Sequence, residues 1–226
     1  MSEINTVLFS DVHLGSPVSR AFDLLNALKE LKFKKLIIGG DMFEDLNFTK
    51  LTTTHWELLS HLGRISRRGV EVIWVEGNHD SKFYYFMSHL IGIPVHKEYR
   101  WQVNGIKFLM THGHQFDSFM TKNQVLGRIL AGIYTGLQRI VSSRFIDFIT
   151  NRFADKWLRL TEQVAEKALL YAKKKKQDVV ICGHTHFVYN IKKAGVEYFN
   201  LGCWNAKPSY LLIVQDDGQA FFKVFA

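Results

Sequence analysis

Two histidines one residue apart follow directly on an apolar run: Val179, Val180 and Ile181 lead through Cys182 and Gly183 to His184 and His186. The same pattern, an apolar run ending in a side chain that can bind a metal, occurs four more times. Residues 6–9 lead to Ser10, Asp11, Val12 and His13. Residues 36–38 lead to Gly39, Gly40 and Asp41, and residues 70–75 to Glu76, Gly77, Asn78, His79 and Asp80. Residues 106–110 lead to Thr111, His112, Gly113 and His114. The donors Asp11, His13, Asp41, Asn78, His112, His184 and His186 mix oxygen and nitrogen and include no thiolate. That set suits Mn, Fe, Zn or Co and disfavours Ca or a cysteine-bound structural zinc. Seven ligands exceed the needs of one ion. They suit two divalent ions sharing a carboxylate, the arrangement that clamps both the attacking and leaving oxygens of a phosphoryl displacement.

The elements that must position these residues follow from periodicity. Residues 6–9, 36–38, 70–75, 106–110, 179–182 and 198–201 read as strands, and 210–214 with 220–225 as a hairpin around Asp216, Asp217 and Gly218. Apolar spacing predicts helices over 22–31 and 51–62, and a short one over 81–90. Strands alternating with helices and then pairing among themselves indicate an α/β fold with a mixed sheet or two stacked sheets. Ligands of such sheets collect at the carboxyl ends of strands, so five separated loops can line one crevice. In an extended segment residues i and i+2 point the same way, which turns Asp11 with His13, and His184 with His186, toward one place.

Residues 115–176 depart from this rhythm. They read as helices over roughly 118–150 and 154–176, and carry 12 Lys/Arg against 5 Asp/Glu, nearly all of the chain's net +8. This stretch is expected to be a helical insertion, either covering a sheet or capping an apolar, anionic ligand or a membrane surface. Lys173–Lys176 reads as a solvated helix end. His55, His61, His89 and His96 read as structural, and Cys182 and Cys203 as small packing thiols. The opening residues lack the pattern of a signal peptide, and no run approaches the length of a membrane span, so a cytoplasmic protein is expected.

The ordered string FSDVHLG, GGDMFE, EGNHD, THGH and CGHTH, across residues 9–186, resembles the calcineurin-like metallophosphoesterases. The resemblance implies a four-layer αββα sandwich of two mixed β-sheets, here as a single domain over 1–226 with the cap at 115–176. It implies one ion held by Asp11, His13, Asp41 and His186, and a second by Asp41, Asn78, His112 and His184, with Asp41 bridging and Mn2+ favoured. Hydrolysis would use water activated between the ions, without a Ser or Cys nucleophile. His79, beside Asn78 in the catalytic motif, would meet the phosphate oxygens or protonate the leaving group, and Asp80 would orient it. Within the family the chain is most similar to UDP-2,3-diacylglucosamine hydrolases of lipid A synthesis, through SDVHLGS, GDMFE, the insertion and Leu201, Gly202, Cys203 and Trp204. It departs from their best-studied branch at His79 and His114, where that branch has Arg and Asp. A nucleotide-linked lipid at a membrane face is the expected substrate, with a soluble phosphodiester, cyclic nucleotide or phosphoprotein as the alternative. Nucleic acid is not expected despite a pI near 9.4.

Overall fold

The computed structural model describes residues 3–45, 47–79, 89, 92–117 and 143–226, with backbone alone for 143–157. Strands β1 (Ile4–Phe9), β2 (Phe33–Ile38), β3 (Glu71–Val75) and β4 (Val95–His96) run parallel. The hairpin of β10 (Ser209–Gln215) and β11 (Ala220–Phe225) joins antiparallel at β1, giving six strands in the order β11-β10-β1-β2-β3-β4. A second sheet contains β5 (Glu98–Val103), β6 (Ile106–Thr111), β7 (Val179–Cys182), β8 (Val188–Lys193) and β9 (Val196–Leu201). Its order is β5-β6-β7-β9-β8, parallel at its centre and antiparallel at both edges.

The alternation of side chains along each strand explains the layering. In β1, Val7 and Phe9 face outward onto helices α1 (Ala21–Lys29) and α2 (Thr53–Arg67), where Leu24, Leu28, Leu58 and Leu62 complete a buried cluster. Leu8 faces the other way. It joins Ile37, Val75 and Leu212 against Phe108, Met110, Ile181 and Phe199 of the second sheet. The outer face of that sheet, through Leu109, Val180 and Tyr198, is covered by Val164, Ala165, Ala168 and Ala172 of α3 (Ser143–Lys174). The order is therefore helix, sheet, sheet, helix, with apolar side chains on both faces of the central strands. This is why those strands read as uninterrupted apolar runs.

Three strands escaped the periodicity. β5 and β8 are edge strands with polar residues on their open faces, and β4 has only two residues. The expected break near residues 150–154 is absent, since α3 continues through it as one helix of 32 residues. The expected helix over 81–90, apart from His89, and the stretch 118–142 lie outside the described residues. His55 has the structural role expected of it. It occupies the third position of α2, where its ring accepts from the Thr52 backbone N–H and its own N–H meets the Thr52 hydroxyl in a reciprocal cap. No helix among the described residues is long and apolar enough to cross a membrane.

Candidate metal centre

Parallel pairing puts the carboxyl ends of β1, β2 and β3 side by side, and the same holds for β6 and β7. The loops that follow carry Asp11, His13, Asp41, Asn78, His112, His184 and His186, and all seven meet at one place. His13 Nε2 lies 3.2 Å from His186 Nε2, which is 3.1 Å from Asp11 Oδ1. His112 Nε2 lies 3.2 Å from Asp41 Oδ2 and 3.2 Å from Asn78 Oδ1. His184 Nδ1 lies 3.1 Å from the same Asn78 oxygen. Donor atoms of Asp11, His13 and His186 fall within 4.8 Å of one another, as do those of Asp11, Asp41 and His112.

The backbone is bent to achieve this. Asp11, His13, Asp41, His184 and His186 all have left-handed φ, between 49° and 71°. Side chains larger than glycine adopt that conformation at a cost of order 1 kcal/mol or more each, and such outliers gather where function requires them. The expectation that each Asp-x-His or His-x-His pair converges through extended backbone is therefore corrected. The convergence comes from tight left-handed turns, because a straight continuation would carry the donors past the crevice. Close approach also explains two glycines. A Cβ on Gly77 would overlap the Asp41 carboxylate, and one on Gly183 would overlap Ser10 Oγ and the Asp11 carboxylate.

Hydrogen bonds fix the loops to one another. His13 N–H donates to the Asp41 carbonyl at 3.0 Å, and Gly183 N–H to the His112 carbonyl at 2.9 Å. Buried Asn200 of β9 donates to the Gly183 carbonyl and the Thr185 hydroxyl, bracing the turn that bears His184 and His186. Each carboxylate is half committed. Asp11 Oδ2 accepts from Ser10 Oγ and from His184 N–H, and Asp41 Oδ1 accepts from His79 N–H at 2.8 Å. The other oxygens, Asp11 Oδ1 and Asp41 Oδ2, face imidazole nitrogens. Asp11 Oδ1 is buried and has no hydrogen bond.

The residues fit metal ions. His112 Nδ1 donates to the Gly39 carbonyl at 2.8 Å, so its neutral ring presents a lone pair at Nε2 to two oxygens. Such a cluster of lone pairs requires a proton or a cation at its centre. Without an ion, protons would fill that role. Burial opposes charge on His112, but Asp41 and Asp11 outweigh it and lift the imidazole to about 9. Burial likewise opposes charge on His13, which Asp11 and Glu44 raise well above the usual histidine range. Burial also opposes ionisation of Asp11 and Asp41, yet the surrounding histidines hold both carboxyls well below their usual range. His114 behaves oppositely, pushed down to about 4 by burial and by His112 and His184. It adjoins the cluster, with its ring 5.5 Å from that of His112, and belongs to none of the close donor groups.

His79 stands at the edge of the cluster, its ring edge-on to His13 at 5.0 Å. Its Nδ1 donates to the Glu44 carbonyl at 2.7 Å. Asp80, the expected orienting partner, lies outside the described residues. Two carboxylates beside the cluster were not singled out from the sequence. Glu44 Oε2 lies 3.0 Å from His13 Nδ1, and Asp117 Oδ2 lies 3.1 Å from His184 Nε2. The first signal was in plain sight, three residues after Asp41 in GGDMFE. The second was a lone acidic residue at the start of the basic stretch.

Residues 4–216 match the model of the calcineurin-like phosphoesterase superfamily domain. The chain belongs to that superfamily. It is a metal-dependent phosphoesterase, built on two mixed sheets with flanking helices like its structural neighbours. Over 97% of its length it is 24% identical to a UDP-2,3-diacylglucosamine hydrolase of Blochmanniella pennsylvanica (strain BPEN), 96% of which is covered. Among solved structures it resembles a novel archaeal phosphodiesterase, with a TM-score of 0.53 and 14% identity, covering 97% of this chain and 98% of that one. It also resembles Yfce, a phosphoesterase from E. coli, with a TM-score of 0.51 and 15% identity, covering 98% and 99%. At those identities the two structures speak to the fold alone.

Proposed function

We propose that this phosphoesterase hydrolyses the pyrophosphate of UDP-2,3-diacylglucosamine, giving UMP and 2,3-diacylglucosamine 1-phosphate for lipid A synthesis. The observation that carries this reading is the near full-length likeness to a hydrolase named for that substrate. Asp11, His13, Asp41 and His186 would hold one ion, and Asp41, Asn78, His112 and His184 the other. The thiolate-free mix of carboxylate, amide and imidazole donors suits Mn2+, with Fe, Zn or Co also in its range. When bound, such a pair supplies Lewis-acid charge to the phosphoryl oxygens and activates water near neutral pH.

The chain's own residues do the rest. Asp11 and Asp41 each keep one oxygen tied to a backbone N–H, so the other is held toward the site without a search of rotamers. His79 meets a phosphate oxygen or gives a proton to the leaving group, oriented from the Glu44 carbonyl and by Asp80. Within a single domain of 1–226, the stretch 115–176 would supply the cap, and its 12 Lys/Arg against 5 Asp/Glu suit an anionic lipid at the inner membrane face.

A second reading rests on His79 and His114, where the best-studied branch of these hydrolases has Arg and Asp. It makes the substrate a soluble phosphodiester, cyclic nucleotide or phosphoprotein. Purified protein with Mn2+ tests both, on UDP-2,3-diacylglucosamine and on bis(p-nitrophenyl) phosphate. Fast UMP release with poor cleavage of the soluble diester supports the lipid substrate. Diester cleavage without UMP discards that substrate and keeps the hydrolase.

A further inference from the structure

The two nitrogens of His184 face unlike partners. Nδ1 points at Asn78 Oδ1, inside the donor cluster, at 3.1 Å. Nε2 points at Asp117 Oδ2, outside it, also at 3.1 Å. Both partners only accept, so a neutral ring can donate to one of them. With its hydrogen on Nε2 for the Asp117 carboxylate, the Nδ1 lone pair is left facing the cluster, where an ion would take it. The contact is dry: Asp117 is 2% exposed and the His184 side chain 7%. A buried charge-assisted hydrogen bond holds its partner's orientation far better than one in water.

His184 needs such a hold. It sits on a left-handed turn at φ 71°, its backbone N–H tied back to Asp11 Oδ2. Asp117 is itself fixed from the second sheet's outer helix. It closes the 3₁₀ turn His114–Phe116, where Lys167 of α3 donates to the Phe116 carbonyl at 2.9 Å and the Phe116 ring packs 5.6 Å from Tyr171. The brace therefore runs from α3 through the turn to Asp117 and into His184.

We infer that Asp117 is a positioning residue for the metal centre: it sets the tautomer and tilt of His184, so that Nδ1 is a ready ligand for the ion shared with Asn78 and His112. This rests on the two-ion reading above. A carboxylate behind a ligating histidine raises its basicity and fixes its ring, and loss of such a partner typically weakens metal binding about 10–100-fold.

The test is a Mn2+ or Zn2+ titration of metal-stripped protein by calorimetry, with bound metal counted by elemental analysis. Wild type should take up two ions per chain. Asp117→Ala should weaken one ion about 10–100-fold and leave the other unchanged. Asp117→Asn, whose amide oxygen still accepts from Nε2–H, should fall between. Equal affinity for both ions in all three proteins, with two ions bound by wild type, would overturn the role of Asp117 and spare the two-ion reading. Weakening of both ions alike, in step with a lower Tm of the stripped variants, would also overturn it, as a general packing defect. No metal bound by wild type would overturn both.

Discussion

The two sheets bring unlike chemistry to the same crevice. Of the seven expected ligands, loops from the six-stranded sheet supply the oxygen donors Asp11, Asp41 and Asn78 with one imidazole, His13. Loops from the five-stranded sheet supply imidazoles alone, His112, His184 and His186. Neither half could neutralise a pair of divalent ions and fill their coordination by itself. The first would gather two carboxylates with little to oppose them, and the second three bases with no charge. The sheets must therefore dock before the site exists, and the ion pairs His112–Asp41 and His186–Asp11 join the halves.

Removing the oxygen side should be the most damaging. Asp41→Ala is expected to lower phosphodiester hydrolysis by at least about 10³-fold, the scale of several kcal/mol of lost charge stabilisation. Steady-state rates with excess Mn2+ check this, and wild-type turnover in that variant would end the two-ion reading. His79→Ala should cost about 10²-fold in kcat while elemental analysis still finds both ions. Loss of an ion instead would make His79 a ligand.

Stripping the metals should unfasten the halves. At free metal 100-fold above Kd each ion adds about 2.7 kcal/mol, which for a chain of this size is about 5–10 °C in Tm. Thermal melts with and without chelator measure it. An unchanged Tm would mean that the ions do not bridge the sheets.

The stripped protein should also show the two halves titrating against each other. His112, ringed by Asp41, Asp11, Asn78, His114 and His184, is raised to about 9 in the folded state from an unfolded value of 6.5. Its contribution is full below 6.5 and lost as pH rises through about 9. Asp11 and Asp41 are depressed, so theirs is present above the unfolded value of 3.8 and lost as pH falls below it. Metal-free Tm should therefore peak between these limits and decline toward pH 9, and added Mn2+ should abolish the alkaline decline because the ion replaces the proton. A flat alkaline limb in the stripped protein would contradict the ion pairing. The smallest effect lies far from the site. Thr52→Ala removes the cap of α2 and should cost about 1 kcal/mol in stability while kcat stays unchanged, as denaturant melts and rates would show.

Much of this was legible in the sequence, for a physical reason. The central strands are buried on both faces, so their apolar runs stand out, and each ends where the chain must turn, so the donors follow at once. The seven donors could be named because residue type and position after a strand were enough. What the sequence hid depends on angles and on neighbours distant in the chain. Left-handed φ at Asp11 or His186 leaves no mark on composition. Asp117 meets His184 across 67 residues, and nothing in the local pattern around Phe116 announces it. The edge strands β5 and β8 stayed hidden because one open side relaxes the demand for apolar residues.

The hydrogen bond from His184 N–H to Asp11 Oδ2 joins residues 173 apart in the chain. Closing so long a loop costs entropy that only the docked sheets repay. The metal centre therefore exists only in the folded molecule, and an ion held there would bind the native state and not the unfolded chain. Such an ion would act as a latch on the finished molecule, stabilising it by mass action.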